Sequence, residues 1–224
     1  MPEVGAAPGG RPDPLAAEVA AFDFDGTLTR RDTLLPYLWR GLGWPRFLLA
    51  LGQSGPWLAA FALRLMSNHR AKARLLQASL GGRTEAEIAQ WTADFAARYL
   101  PGRWQPEMLA RLRHHQQLGH CCVIVSASPG IYLHDAGRAL GMDAVICTEL
   151  EARDGALTGR MATPNCHGEE KVRRLQAWLA ARGQSRAHIT LHAYGDSSGD
   201  VPLLNLADYA HYQGQPWARK PSRK

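Results

Sequence analysis

The chain has 224 residues, of which 46% are hydrophobic, so it can bury a sizeable core and suits one core domain with an insertion. Its formal net charge of +6 favours anionic substrates or an anionic surface. The sequence carries no nucleic-acid motif and no basic stretch interleaved with aromatic residues, which argues against a nucleic-acid partner. The four cysteines have no metal-type spacing, and reduced thiols in a cytoplasmic protein are their simplest interpretation.

The two ends of the chain differ in composition from its middle. Residues 1–17 are rich in Pro, Gly and Ala and lack the basic start and apolar middle of a signal peptide, so we expect a disordered leader. Residues 214–224 are expected to form a basic, solvated tail.

A pair of carboxylates ends the first predicted strand. The apolar run Val19–Phe24 is typical of a short buried strand, and Asp23 and Asp25 stand at its end, before the Gly26-Thr27 turn. Two ionised carboxylates this close repel each other unless a cation, hydrogen bonds or a proton compensates. A divalent metal with a phosphate group would supply that compensation. The alternative is that Asp25 and Gly26 only form a hairpin turn.

A mostly helical region is predicted next. The segment Leu34–Met66 is strongly apolar with several tryptophans and arginines, and residues 47–63 carry no charge. The Gly-Gln-Ser-Gly-Pro sequence at 52–56 is predicted to break this stretch, which therefore falls short of the about 20 apolar residues of a spanning helix. Further on, Thr84 and Glu87 have the spacing of a capping box at a helix start.

Two later segments contain side chains that could bind an anion, one a hydroxyl group and the other a lysine. The predicted strand Cys121–Val125 ends at Ser126, and Ser128 and Pro129 have the residue types of a helix N-cap and first helical position. A hydroxyl beside free helix N–H groups is well placed to bind an anion. Lys171 lies in the first turn of a predicted amphipathic helix.

A second pair of carboxylates follows the last long apolar run. The predicted strand Ile189–Tyr194 leads into a glycine-bearing loop that holds Asp196 and Asp200, before a short apolar helix. A strand end therefore again carries two carboxylates, here four residues apart.

In this order, the four segments resemble the motifs of the haloacid dehalogenase superfamily of phosphatases. Asp23–Thr27 matches the first motif, Ser126 the second, Lys171 the third and Gly195–Asp200 the fourth. The resemblance spans residues 19–206 and is closer to the phosphoserine-phosphatase-like subclass, subfamily IB, than to other subclasses.

The resemblance implies an α/β fold with a doubly wound, Rossmann-like parallel sheet and an inserted helical cap. The core is expected at 18–32 and 116–213, and the cap at 33–115.

The resemblance also implies a role for each matching residue. Asp23 would be the nucleophile that forms an aspartyl-phosphate, and Asp25 the general acid and base. Mg²⁺ prefers oxygen ligands and would be held by Asp23, the backbone carbonyl of Asp25, and Asp196. Ser126 and Lys171 would bind the remaining phosphate oxygens.

Four further residues have alternatives that the sequence leaves open. Gly26 and Thr27 would bind phosphate through their N–H groups, or Thr27 simply closes the turn. Asp200 would orient Lys171 or the water shell of the metal, or would cap the following helix. Ser128 is expected to cap a helix and not to bind the substrate.

The apolar cap segment has three interpretations: helices that pack on each other, an interfacial hairpin, or an apolar substrate pocket. The last two would fit a lipid phosphate, and residues 34–66 resemble the pattern of a bacterial branch of the subclass, the phosphatidylglycerophosphatase C-like enzymes. Where phosphoserine phosphatases have a glutamate after the first motif, this chain has Asp32, which we expect to cap a helix. Their cap arginine has no clear counterpart among Arg64, Arg70 and Arg74.

We therefore predict a Mg²⁺-dependent hydrolase of a small-metabolite or lipid-borne phosphomonoester. The alternatives are a phosphotransferase that uses the same intermediate, and a phosphate-binding or membrane-associated regulatory module without turnover. Intact Asp23 and Asp25 argue against the latter. We expect a cytoplasmic location, and contact of residues 34–66 with the inner face of the membrane is a further hypothesis. The oligomeric state does not follow from the sequence.

Overall fold

A computed structural model describes residues 17–63, 65 and 68–218. Most of the predicted leader, the end of the predicted tail and the candidate cap residue Arg64 lie outside these ranges. The strands are β1 (Glu18–Phe22), β2 (Cys121–Pro129), β3 (Ala144–Thr148), β4 (Leu150–Arg153), β5 (Ala156–Met161), β6 (Thr190–Gly195), β7 (Tyr209–Tyr212) and β8 (Gln215–Pro216). The α-helices are α1 (Leu34–Leu42), α2 (Trp44–Ala62), α3 (Asn68–Leu80), α4 (Glu85–Arg98), α5 (Pro106–Gln117), α6 (Gly130–Ala139), α7 (Glu169–Ala180) and α8 (Val201–Leu206).

The main sheet has the strand order β3-β2-β1-β6-β7-β8, and only β8 is antiparallel to its neighbour. Helices cover both faces, with α6 on one and α7 and α8 on the other. The predicted α/β fold with a doubly wound parallel sheet is therefore confirmed. Because β8 pairs with β7, the ordered chain continues past residue 213, where the basic tail was predicted to begin.

The central strand β1 explains the apolar run that the sequence shows there. Alternate residues of a strand face opposite sides of a sheet. Accordingly, Ala20 and Phe22 join one core cluster, and Val19 and Ala21 join the other. A parallel strand that is covered on both faces is apolar throughout, without polar alternation.

The strand ends at Phe22, two residues earlier than predicted. The N–H of Asp23 still donates to the Tyr194 carbonyl oxygen at 2.9 Å, and the chain then turns through Phe24–Leu28. Gly26 has φ of 78° in this turn, a conformation that glycine adopts without a steric penalty.

Helices α1 to α5 lie between β1 and β2 along the chain. The capping box at α4 is confirmed: the Glu87 N–H donates to the Thr84 hydroxyl oxygen at 3.2 Å, and the Thr84 N–H donates to the Glu87 carboxylate at 2.9 Å.

The predicted break at residues 52–56 is wrong, because α2 continues through Pro56. A proline inside a helix removes one hydrogen bond and crowds the preceding turn. Here α2 packs along α3 and against α1, and this packing outweighs the local preference. Within the described ranges, no helix is both long enough and apolar enough to cross a membrane.

Candidate active site

The predicted motif residues meet at one edge of the main sheet. Asp23 follows β1, Ser126 lies in the neighbouring strand β2, and Asp196 follows β6 on the other side. The strands are parallel, so their carboxyl ends open on the same side, where doubly wound folds bind ligands. The three residues line one cavity of about 720 Å³.

Lys171 joins two carboxylates inside the protein. Its Nζ lies 2.7 Å from Asp23 Oδ1 and 2.5 Å from Asp200 Oδ1, and its side chain is only 2% exposed. The lysine enters from the first turn of α7, on the apolar face that also buries Leu175. Burial raises the pKa of Asp23, against the pull of Lys171. Burial acts in the same direction on Asp200, but there the charge and hydrogen bond of Lys171 prevail and lower the pKa.

Asp200 does not cap α8 through its side chain, so that alternative is wrong. Its second oxygen, Oδ2, accepts hydrogen bonds from the Ser197 N–H at 2.9 Å and the Ser197 hydroxyl at 2.7 Å. Asp200 therefore holds the loop that follows β6 to the Lys171 ammonium.

Asp25 is surrounded by hydroxyl donors. Its Oδ1 accepts from the N–H and the hydroxyl of Thr33, at 2.8 and 2.6 Å, and its Oδ2 accepts from the Ser128 hydroxyl. Burial and the nearby Asp32 raise the pKa of Asp25 to about 7, although these hydrogen bonds oppose the rise. Such a carboxyl group exchanges a proton readily near neutral pH.

The predicted helix cap at Ser128 is wrong. Strand β2 continues to Pro129 and α6 begins only at Gly130, so Ser128 is still in extended backbone. Its hydroxyl faces the site and binds Asp25, while its N–H donates to Ser126 Oγ at 3.2 Å.

Asp196 has the surroundings of a cation ligand. Carboxylate oxygens of Asp23, Asp196 and Asp200 lie within 4.8 Å of one another, and Asp196 Oδ1 accepts from the Thr27 hydroxyl at 3.2 Å. Burial, together with Asp23 and Asp200, raises the pKa of Asp196 to about 6. A Cβ at Gly26 would lie 2.1 Å from Asp196 Oδ2, so only glycine leaves that carboxylate in its position. The all-oxygen donor set fits Mg²⁺.

The sequence matches that of a known family over most of the chain. The sequence profile of the haloacid dehalogenase-like hydrolases matches residues 20–205. The chain belongs to the haloacid dehalogenase-like hydrolase family. Its relatives include proteins named as a histidinol-phosphatase and a phosphoserine phosphatase, which match 84% and 92% of the chain.

Two relatives and one solved structure are similar to this chain over most of its length. Protein CicA of Caulobacter vibrioides is 34% identical over 203 residues, which is 88% of each chain. A histidinol-phosphatase of Neisseria meningitidis is 27% identical and covers 84% of this chain and 86% of its own. A structure of a phosphoserine phosphatase aligns with a TM-score of 0.58 at 15% identity, covering 86% of this chain and 84% of the other, which shows that the two proteins share a fold.

The sequence analysis missed one cation in this haloacid dehalogenase-like site. Lys72 of α3 lines the cavity, and its Nζ donates to the Ala127 carbonyl oxygen and lies 3.4 Å from Asn165 Oδ1. By contrast, Arg70 and Arg74 line a different cavity of about 820 Å³. The signal in the sequence is that Leu75 and Leu76, three and four residues after Lys72 on the same side of α3, are apolar, and both are buried.

Asp32 acts as a helix cap, as expected. Its Oδ1 accepts from the N–H groups of Leu34 and Leu35 at the start of α1, at 3.1 and 3.4 Å. The residue also lines the cavity, so its carboxylate stands at the mouth of the site.

Proposed function

We propose that this chain is a Mg²⁺-dependent phosphomonoester hydrolase that acts through an aspartyl-phosphate on Asp23. One observation carries the proposal. The buried carboxylate of Asp23 is paired to the buried Lys171, and two residues later the carboxyl group of Asp25 accepts three hydrogen bonds from Thr33 and Ser128. This arrangement supplies a nucleophile, a charge that stabilises it, and a proton donor in one cavity.

In the first step, an Asp23 carboxylate oxygen attacks phosphorus while the ester P–O bond breaks. Asp25 gives its proton to the leaving oxygen. In the second step, Asp25 takes a proton from water, which attacks the acyl phosphate and releases inorganic phosphate. Thr33 and Ser128 hold the Asp25 carboxyl group in one orientation for both proton transfers.

The remaining groups bind the phosphoryl oxygens. Ser126 offers its hydroxyl, and Lys171 offsets negative charge that builds up in the transition state. The Gly26 and Thr27 N–H groups lie beside Asp23 in the turn and would bind another oxygen. Asp200 is a positioning residue, because it touches Lys171 and not the reacting atoms.

Asp23, Asp196 and the Asp25 carbonyl are the groups that would hold Mg²⁺. When bound, this ion neutralises charge on the phosphoryl oxygens and on the nucleophile.

The cavity suggests a substrate with an apolar part beside the phosphate. Lys72 and the exposed Asp32 add charges to the cavity lining, and Leu34, Leu35 and Leu75 add apolar surface to it. Leu35 is 44% exposed and continues into exposed side chains of α1 and α2: Trp39, Trp44, Leu48 and Leu49. We propose that this apolar surface, defined by Leu35, Trp39, Trp44, Leu48 and Leu49, contacts an anionic lipid surface.

Charge supports a lipid surface over another apolar partner. Residues 34–63 contain Arg40 and Arg46 and not a single Asp or Glu. Exposed tryptophan and leucine with flanking arginine is the composition of helices that lie in the interface of an anionic bilayer.

The first experiment measures phosphate release from phosphoserine, histidinol phosphate and phosphatidylglycerophosphate, each with Mg²⁺ and with EDTA. Metal-dependent release from any of them supports the hydrolase. Folded protein that releases phosphate from none supports the regulatory module instead. Transfer of phosphate to an added alcohol, in place of release, would indicate a phosphotransferase.

A second experiment isolates the apolar surface. Trp44→Ser with Leu48→Ser should reduce sedimentation with vesicles that contain phosphatidylglycerol, and should lower turnover of the lipid substrate but not of a short-chain ester. Leu118→Ser, at an exposed leucine outside this surface, is the matched control. Equal vesicle binding by the unmodified chain, the double variant and the Leu118→Ser control would exclude the membrane contact and leave the hydrolase proposal intact.

A further inference from the structure

A cluster of histidines lies on the sheet away from the catalytic carboxylates. His115 is in the last turn of α5, His120 precedes β2, and His192 is in β6. His115 Nδ1 and His120 Nδ1 are 2.9 Å apart, and one ring nitrogen from each of the three residues lies within 4.8 Å of the others. Three chain segments thus converge on one point.

Neighbouring groups orient these rings. His115 Nε2 lies 2.8 Å from the Tyr194 hydroxyl, so a hydrogen bond there leaves Nδ1 to face the other two histidines. Glu18 Oε2 lies 2.7 Å from His192 Nε2 and 3.5 Å from His120 Nδ1. Hydroxyl and carboxylate partners of this kind fix the orientation of histidines that bind metals.

The spacing fits a tetrahedral ion. With Zn–N bonds of about 2.0–2.1 Å, two ligand atoms of a tetrahedral site are about 3.3–3.4 Å apart. The observed separations, from 2.9 Å to at most 4.8 Å, bracket this value, so side-chain shifts of about 1 Å or less complete the site. Imidazole nitrogen suits Zn²⁺, whereas Mg²⁺ prefers oxygen.

We propose that His115, His120 and His192, with Glu18 as the neighbouring carboxylate, form a Zn²⁺ site separate from the catalytic centre. His192 pairs in register with Ala20, three residues before Asp23 on β1. At about 3.3 Å per residue, the cluster therefore lies on the order of 10 Å or more from Asp23. His115 is 5% exposed, but the side chains of His120 and His192 are 14% and 15% exposed, so an ion can enter from solvent.

The site would act as a cross-link. It ties the end of α5, the helix that leads into β2, to the two central strands β1 and β6. An ion that binds only the folded state stabilises it. We therefore expect Zn²⁺ to raise the Tm without being needed for phosphate release.

The test uses the full chain without an affinity tag. The protein is dialysed against a buffer that contains a low concentration of Zn²⁺ and an excess of Mg²⁺. We expect one equivalent of Zn²⁺ to be retained, a rise in Tm of a few degrees, and the visible absorption of tetrahedral Co²⁺ when Co²⁺ replaces Zn²⁺. These measurements on the unmodified protein need no variant, and failure to retain Zn²⁺ overturns the proposal.

Three variants locate the ion. His120→Ala should lose the bound Zn²⁺ and the Tm rise while keeping phosphate release, and its fold is verified by circular dichroism. His114→Ala, at an exposed histidine next to His115 on α5, should behave as the unmodified protein. Asp196→Asn should keep the Zn²⁺; loss of the ion in this variant, or its retention in His120→Ala, would assign it elsewhere and overturn the proposal.

Discussion

Replacing Lys171 by methionine should damage stability and catalysis together, because the lysine is the cation between two buried carboxylates. Its Nζ contacts Asp23 at 2.7 Å and Asp200 at 2.5 Å, and the side chain is 2% exposed. Methionine keeps much of the length and removes the charge. Asp23 and Asp200 are then left without a cation in a buried site.

Breaking a buried ion pair from one side costs about 3–5 kcal/mol. A chain of this size loses roughly 2–4 °C of Tm for each kcal/mol, so the Tm should fall by about 6–20 °C. The rate of phosphate release should fall on the order of 10²–10³-fold, as for the loss of one preorganised group that stabilises the transition state.

The stability assay is thermal unfolding in EDTA, so that an added metal does not replace the missing charge. Arg173→Met is the matched control on the same helix, because Arg173 is 64% exposed and its one ion pair among the described residues is with Glu170. The control should leave the Tm almost unchanged. Adding Asp200→Asn to Lys171→Met should recover part of the loss, because it removes one of the uncompensated charges.

The decrease in Tm caused by Lys171→Met should also depend on pH. Lys171 lowers the pKa of Asp200 in the folded protein, so this pairing contributes stability above the ordinary carboxyl pKa, and the contribution is lost as the pH falls through the lowered value. The difference in Tm between Lys171→Met and the unmodified chain should therefore be largest near neutral pH and shrink in acid. Equal Tm values for Lys171→Met and Arg173→Met at neutral pH would refute this account.

Three further predictions follow from the site geometry. Asp23→Asn should abolish phosphate release in a rapid-mix or steady-state assay, and retained turnover would exclude the covalent mechanism. Gly26→Ala should cost about 1–3 kcal/mol and weaken Mg²⁺ activation, because its Cβ would meet the carboxylate of Asp196, a proposed Mg²⁺ ligand. Gly43→Ala, with a similar φ of 73° and open space around the Cβ, should show only the backbone cost. Lys72→Met should raise KM more than it lowers kcat, measured by steady-state kinetics, while Arg70→Ala on the same helix should change neither.

Some features of the site and its surroundings could be predicted from patterns of residues close together in the sequence. The apolar run before Asp23 predicts a buried strand, and the spacing of Thr84 and Glu87 predicts a helix start, because both depend on residues close in sequence. The order of four short motifs was enough to indicate the fold and the residues Ser126 and Lys171. Each of these lines the cavity.

Other features depend on contacts between distant parts of the chain. Ser128 has the residue type of a helix cap, yet it binds Asp25, 103 residues earlier, because β2 runs on for four residues past Val125. The helical spacing puts Lys72 on a partly apolar face of α3, but its place in the cavity follows only from how α3 packs.

By its resemblance to a known family, the sequence indicated the α/β class, the family and the candidate residues of the four motifs, because each motif consists of residues close together in the chain. Only the tertiary structure decided that Asp200 binds Lys171 and does not cap α8, and that α2 continues through Pro56. In both cases, the local preference is worth about 1–3 kcal/mol, and a buried charge pair or a packed helix face outweighs it. The histidine cluster likewise exists only after folding, because strand pairing and helix packing bring its three segments together.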